Sequence, residues 1–460
     1  MRFVEGTYKW LDSKSEEELT TKLYLTKVLK AVSSFTGIIN RIQRSVSYSD
    51  YPKIWQYESI LSHTSTFSDG DTNEAPAGYG TSLKKSNALV RSIGEAFDRY
   101  ASSIYHANEL KIARSNDLKS KLDLNELAGF SHKQLKDLKE CRFDENSIFR
   151  WTKGYSLKTN KNIYIPAQLV YMPYIYLEDE PILRLPITTG IASGSSFLSA
   201  FYRALGEVIE RDAFMIRYLN KAKTSLISLN KLNHRNREYI KKLESYGLEI
   251  KFFDLSLDIP IPIIGAVTID KNSKMLGDIS LFQFGAASDF NVNDAMIKAL
   301  EESLQGLYWV RLVAQTEPHS KIDDIRRNPN DIVDHLERAL FWLKDGSIKD
   351  LEFFWNGGVI DYKHKYEKNI NTYRDKLKVI IKYLLAKGYD IIVKDMTPSD
   401  IKSLGVTVVK VIVPELQPLH LFEKYKCLGG ERLYELPIKM KWTKTRKNEE
   451  DLNSIPHPFL

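Results

Sequence analysis

Residues 92–100 read SIGEAFDRY and residues 205–212 read LGEVIERD. Each has a glycine followed at once by glutamate, a second carboxylate three residues on, and then an arginine. These are Gly94, Glu95, Asp98 and Arg99 in the first, and Gly206, Glu207, Glu210 and Arg211 in the second. On a helix, an i,i+3 spacing puts both carboxylates on one face, with the arginine along the same turn. Apolar periodicity predicts that helix over Asn87 to Ala101 and again over Phe197 to Tyr218. One such pair alone reads most simply as a solvated acidic face with a nearby salt bridge. Small-residue stretches stand ahead of both, APAGYG (75–80) and TGIASGSS (189–196). A third instance follows. FGAASDF (284–290) reads as a small-residue loop, and a helix over Asp294 to Leu312, opening beside Asn293 or Asp294, carries Glu301, Glu302, Ser303 and Gln305. The recurrence favours an α+β chain of repeated mixed modules over one doubly wound parallel sheet.

Working outward, a helix-compatible pattern over Glu18 to Ser34 leads into FTGIINRI (35–42), where Gly37 predicts a turn into a strand. Ser62 to Gly80 is polar and reads as a flexible approach to something more ordered. The lysine-rich interval Lys111 to Lys153 reads as a solvated helical face. Strands are expected at Ile163 to Met172, where Pro166 argues against one uninterrupted central strand, and at Ile182 to Thr189. Leu248 to Phe253, Ile261 to Ile269, Tyr389 to Val393 and Val406 to Val413 are further strands, and Lys231 to Leu243 and Asn371 to Lys387 are helices. Lys441 to Asn453 is charged and expected to be mobile.

The 460 residues carry 66 basic and 59 acidic side chains, a formal charge of +7. The lysines are scattered among glutamates rather than gathered into a stripe, so no nucleic-acid partner is expected. With 43% hydrophobic and 27% charged residues, the chain falls in the soluble globular range and is long enough to bury a core of its own. Cys141 and Cys427 are too few for a disulfide framework, and each reads as a buried structural thiol. MRFVEGTYKWLDSKSEEEL (1–19) offers neither signal peptide nor membrane anchor, so a cytoplasmic protein is expected.

Two acidic pairs brought together could hold hard divalent cations, because Mg²⁺ prefers carboxylate and phosphate oxygens. Arg99 and Arg211 could orient those carboxylates or neutralise phosphate. In TGIASGSSFLSA (189–200), small residues let backbone amides approach phosphate oxygens, and Ser193, Ser195 and Ser199 add hydroxyl donors. The loop lacks the GK followed by Ser or Thr of a Walker A sequence, so any ATP site here is atypical. Pro456 and Pro458 stiffen the end of the chain, NSIPHPFL (453–460).

Taken together, FTGIINRI, SIGEAFDR, TGIASGSS, Glu207 to Asp212, FGAASDF with Glu302 and Gln305, VTVVKVIVPELQPL (406–419) and NSIPHPFL resemble the YcaO family, especially its peptide cyclodehydratases. The resemblance implies a mixed fold of internally related modules around an atypical ATP and Mg²⁺ site. It divides the chain into an N-terminal segment (1–75), a catalytic core (76–440) and a tail directed toward the active site (441–460). By this resemblance Ser92, Glu95, Ser193, Ser195, Ser199, Glu207, Arg211, Glu302 and Gln305 bind nucleotide, and Glu95, Asp98, Glu207 and Glu210 hold metal. Arg99, Arg211, His457 and the Leu460 carboxylate are its catalytic candidates, with Leu460 preferred over His457 as base. Asp98 stands where the family often has glutamate, Thr189 where asparagine is common, Ser199 where another glutamate occurs, and the tail PHPFL departs from PxPxP at Leu460.

The implied activity is ATP-dependent cyclodehydration of Cys, Ser or Thr in a ribosomally made precursor peptide to thiazoline or oxazoline. Backbone thioamidation and a nonenzymatic peptide-binding scaffold are the alternatives. The resemblance also implies a separate leader-peptide-binding partner protein, a flavin-dependent azoline dehydrogenase acting afterwards, and self-association as a homodimer.

Overall fold

A computed structural model describes residues 20–45, 48–72, 76–363 and 370–460. Most of the helix pattern over Glu18 to Ser34 is described, and it forms α1 (Thr21–Val28) followed by a single 3₁₀ turn. Among the described residues there are three sheets. The first joins β1 (Ile39–Arg44), β2 (Trp55–Leu61) and β3 (Ala77–Ser82) as an antiparallel meander, so the N-terminal segment and the start of the core share one sheet. α2 (Lys85–Ser103) follows β3 directly.

The second sheet runs in the order β4 (Lys111–Arg114), β5 (Ile148–Ser156), β13 (Ile392–Asp395), β14 (Thr407–Ile412), β7 (Ile191–Gly194), with β6 (Lys161–Pro166) paired to β5. From β7 the chain enters α3 (Phe197–Leu219) through Ser196, whose side chain forms a capping box with Ser199. α3 is buried along nearly its whole length, as expected of a helix that is apolar on most of its faces. The third sheet has the order β11 (Leu281–Ser288), β10 (Ile263–Asp270), β9 (Leu248–Asp254), β8 (Leu226–Ile227), β12 (Val359–Ile360). α4 (His234–Glu244) lies within this portion of the chain, and α5 (Val292–Thr316) follows β11 with Asn291 as its N-cap. α6 (His335–Trp342), α7 (Tyr373–Ala386) and α8 (Glu431–Lys439) complete the helices that matter for the site.

Four expectations are corrected. Residues 284–288 and 191–194, both read as loop, lie inside β11 and β7, and in β11 the helix above comes too close for a side chain at position 285. A Cβ on Gly285 would sit 2.3 Å from the Ala299 carbonyl oxygen of α5. Gly78 of β3 is the counterpart, where a Cβ would meet the Ala96 amide nitrogen of α2 at 2.2 Å. Gly285→Ala is therefore expected to destabilise the fold by about 1–3 kcal/mol or more, read by urea unfolding, since rigid helix backbone cannot yield.

Lys111 to Lys153 is not one helical face. It contains β4 and the start of β5, with a buried Trp151 whose indole N–H donates to Ala113 O at 3.0 Å. Ile182 to Thr189 forms no strand. The Ile182 amide donates to Glu140 O and the Leu183 amide to Gln168 Oε1, so these donors are satisfied outside a ladder. Residues 441–453 are tied down, with Lys447 Nζ donating to Asn220 O and the Asn453 amide to Leu219 O.

Candidate active site

The three strands made of small residues, β3, β7 and β11, each lie at the edge of a different sheet. An edge strand has outward amides without a strand partner. Here three amides on or beside these strands hold glutamates. Tyr79 N–H donates to Glu95 Oε2 (2.8 Å), Gly190 N–H to Glu207 Oε2 (3.1 Å) and Ala286 N–H to Glu302 Oε2 (2.8 Å). The three side chains are about two-thirds covered, with exposures of 37%, 30% and 36%, so one oxygen of each is fixed while one edge of the carboxylate still faces solvent.

The three helices also close into a ring. Gly94 of α2 leaves room for the Ser193 hydroxyl of β7, which donates to Gly94 O at 3.1 Å. Gly206 of α3 leaves room for Ser288 of β11, whose Oγ would lie 2.8 Å from a Cβ. In α5 the corresponding residue is Glu301, which accepts from the Ser82 hydroxyl (2.7 Å) and the Leu83 amide (2.8 Å) at the end of β3 and pairs with Arg91 (2.6 Å). Each helix thus meets the strand of the next unit, and the last meets the first.

Arg211 stands among the carboxylates. It pairs with Glu210, and its NH2 lies 3.7 Å from both Glu207 and Glu302. Arg99 pairs with Glu95 at 2.7 Å. Burial pushes the Asp98 carboxyl well above the usual carboxylate range, opposed by the Ser193 hydroxyl and reinforced by Glu95 and Glu207. Glu207, Glu210 and Glu302 are likewise raised by burial, with Arg211 opposing in each case. Asp98 Oδ1, Arg99 Nε and Arg211 Nε are buried without hydrogen-bond partners. A group of carboxylates that resist ionisation together, beside unsatisfied guanidinium donors, fits a divalent cation carrying an anionic phosphate chain. Burial pushes the Glu210 carboxyl up to about 8, so the proton it holds near neutrality must leave when such a cation binds. Mg²⁺–nucleotide affinity is therefore expected to rise with pH through neutrality, and calorimetric heats should differ between buffers of different ionisation enthalpy. Buffer-independent heats would contradict this.

Of the residues expected from sequence, Glu95, Glu207, Glu210, Glu302, Arg99, Arg211, Asp98 and Ser193 form this set. Gln305 lies one turn beyond Glu302 on α5 and is half-buried, as is Ser195 just after β7. Ser92 is fully buried with its hydroxyl between Ser59 Oγ and Leu89 O, and the Ser199 hydroxyl serves the capping box. Asp212 is turned away to Arg432, 2.9 Å from its NH2.

The tail reaches the set through Phe459, whose buried ring lies under the Arg211 guanidinium, 4.1 Å from its centroid, and against Phe214 and Phe284. Tyr218 OH donates to Pro456 O at 2.9 Å. Leu460 is half-buried and packs against a different hydrophobic cluster from Phe459. The imidazole of His457, expected near the reaction, is held instead by the His420 carbonyl at 2.6 Å, and its charged neighbours are Arg338, His420 and Glu423. Both cysteines are buried, with burial pushing the Cys141 thiol up to about 12 and the Cys427 thiol up to about 11, so neither is a thiolate at neutral pH.

Sequence reasoning missed Glu301, since adjacent glutamates do not reveal which one locks the ring. It also missed Lys410, a lone lysine in the apolar run VVKVIV of β14. Its Nζ donates to Thr189 O at 2.8 Å, and burial holds it down to about 8, opposed by Glu207.

Residues 78–417 match the family model described as YcaO cyclodehydratase, ATP- and Mg²⁺-binding. The chain belongs to the YcaO family. Among solved structures it is similar to a heterocyclase in complex with substrate and cofactor (TM-score 0.75, 19% identity), matching 97% of this chain and 58% of that one. It is also similar to YcaO from Methanopyrus kandleri bound with AMPPCP and Mg²⁺ (TM-score 0.59, 18% identity, 87% and 92% of the two chains). A third likeness is to the E. coli microcin synthetase McbBCD complex with pro-MccB17 bound (TM-score 0.55, 14% identity, 85% and 92%). These likenesses establish the YcaO-like mixed α and β fold, and the chain spans a little over half the length of the heterocyclase. Among the described residues no helix is long and apolar enough to cross a membrane.

Proposed function

We propose that the protein catalyses ATP-dependent cyclodehydration of Cys, Ser or Thr residues in a ribosomally made precursor peptide. The substrate side chain adds to the preceding amide carbonyl, the former amide oxygen is phosphorylated by ATP, and loss of phosphate leaves a thiazoline or oxazoline together with ADP. The observation that carries this reading is the buried tail, whose Phe459 ring lies beneath Arg211 at the centre of the acidic set. A tail of this kind favours heterocycle formation over backbone thioamidation.

Glu95, Asp98, Glu207, Glu210 and Glu302 would hold Mg²⁺ and through it the nucleotide phosphates, with Gln305, Ser193 and Ser195 beside them. Bound there, the cation neutralises phosphate charge and orients the transferring group. Arg211 and Arg99 carry fixed positive charge toward the same phosphates, in a site where it acts without reorganising. Strand amides and the ring of helix–strand contacts hold the carboxylates in place before any ligand arrives, so little ordering cost falls on binding. The tail, ending at Leu460, is proposed to take up the proton released when the peptide side chain adds. The ring is also the basis for inferring that the three modules are internally related.

A separate leader-peptide-binding protein is proposed to deliver the precursor, and a flavin-dependent dehydrogenase to oxidise azoline to azole. Incubation of the protein with ATP, Mg²⁺, a precursor peptide and that leader-binding protein, followed by peptide mass spectrometry, tests the reading. Loss of water matched by ADP and phosphate is expected. Exchange of oxygen for sulfur with an added donor would mean thioamidation instead, and peptide binding without any mass change would mean a scaffold.

A further inference from the structure

Away from the carboxylate ring, two histidines and a glutamate converge in the protein interior. His420 and Glu423 lie on the segment after β14, and His457 lies in the tail. All three are buried, with residue exposures of 5%, 3% and 1%, and one potential ligand atom from each lies within 4.8 Å of the other two. We propose that His420, Glu423 and His457 form a site for one divalent transition metal of the zinc class, which fastens the tail to the body.

The histidines are set up as ligands. His457 Nε2 contacts the His420 carbonyl at 2.6 Å, which makes Nε2 the protonated nitrogen and leaves the Nδ1 lone pair free. Nδ1 has no hydrogen-bond partner. An N–H donated to a backbone carbonyl is the usual outer support of a metal-bound imidazole. Neither ring nitrogen of His420 has a hydrogen-bond partner, although the residue is buried.

The spacing agrees. His420 Nε2 lies 3.4 Å from Glu423 Oε1 without making a hydrogen bond. Metal–ligand bonds of about 2.0–2.1 Å in a tetrahedron separate neighbouring ligand atoms by about 3.3–3.4 Å. Two imidazoles and one carboxylate suit zinc, with a fourth position for water, and do not suit Mg²⁺, which takes oxygen ligands. The proposed metal is therefore distinct from the Mg²⁺ of the carboxylate ring and independent of the function proposed above.

Two cations already touch Glu423. Arg338 NH1 lies 2.7 Å from Oε1 and also donates to His457 O at 3.0 Å, so it orients both the carboxylate and the tail. Lys426 Nζ lies 2.8 Å from Oε2, with its side chain 14% exposed. Arg338 is fixed in the core and acts as outer support, whereas Lys426 can swing to solvent as the metal enters. Lys426→Gln is accordingly expected to tighten metal binding, because it removes a positive charge that competes for the Glu423 carboxylate.

The test is zinc binding by the full-length protein, stripped with chelator and then titrated with Zn²⁺ in excess Mg²⁺. About one equivalent per chain is expected to bind, with Co²⁺ in its place giving the strong visible bands of four-coordinate cobalt. His420→Gln and Glu423→Gln should each lose about tenfold or more in affinity. Failure of wild-type protein to bind zinc, or a full equivalent held unchanged by folded His420→Gln protein, would overturn the site. The wild-type titration decides the matter if the variants do not fold.

Discussion

Glu207→Gln is expected to cut ATP turnover by about 10²–10³-fold while leaving the thermal midpoint unchanged or higher. The amide oxygen of glutamine still accepts from Gly190 N–H, so the ring geometry survives, but the charge is lost. The stability sign follows from the raised Glu207 pKa. A carboxyl whose folded pKa lies above its unfolded value costs stability once pH passes the unfolded value, and the cost is complete above the folded one. Neutral glutamine removes that cost at every pH, so lost activity and retained stability go together, as is common where a site holds unfavourable charge. Phosphate release and calorimetry on the same sample check both halves. Undiminished turnover by folded Glu207→Gln protein would remove Glu207 from the site.

Phe459→Ala should release the tail. Truncating a buried phenylalanine costs about 3–5 kcal/mol, and here the cation–π contact with Arg211 is lost as well. Phe459 is part of the main hydrophobic core, so the loss should appear both as local opening of residues 454–460 and as a lower global midpoint. Carboxypeptidase is expected to remove the end of the variant and leave the wild-type chain intact. Azoline formation should fall by about 10²-fold or more, the scale of a general base, with ATP turnover less affected. An equal fall in both rates would place Phe459 in nucleotide binding rather than in peptide chemistry.

The acidic motifs were legible because helical spacing alone decides which side chains share a face. Glu95 with Asp98, and Glu207 with Glu210, needed no tertiary knowledge. The small-residue stretches were seen but misread as loops at 284–288 and 191–194, where glycine and alanine signal a close helix above a strand as readily as a loop. The ring was out of reach, because Gly94, Gly206 and Glu301 take their meaning from serines about 80 to 220 residues away. Neither His420 nor Glu423 drew attention in sequence, since a lone histidine and a glutamate three residues on match no metal motif until the tail brings His457 beside them.

The contact that closes the ring, Ser82 to Glu301, spans 219 residues of chain. Contacts of such separation carry the largest loop entropy and form after the local ones. During synthesis, the first two acidic helices leave the ribosome well before the residue that completes the circle. The circle of contacts can then close, and Glu302 can join the other carboxylates, only once the third module is translated.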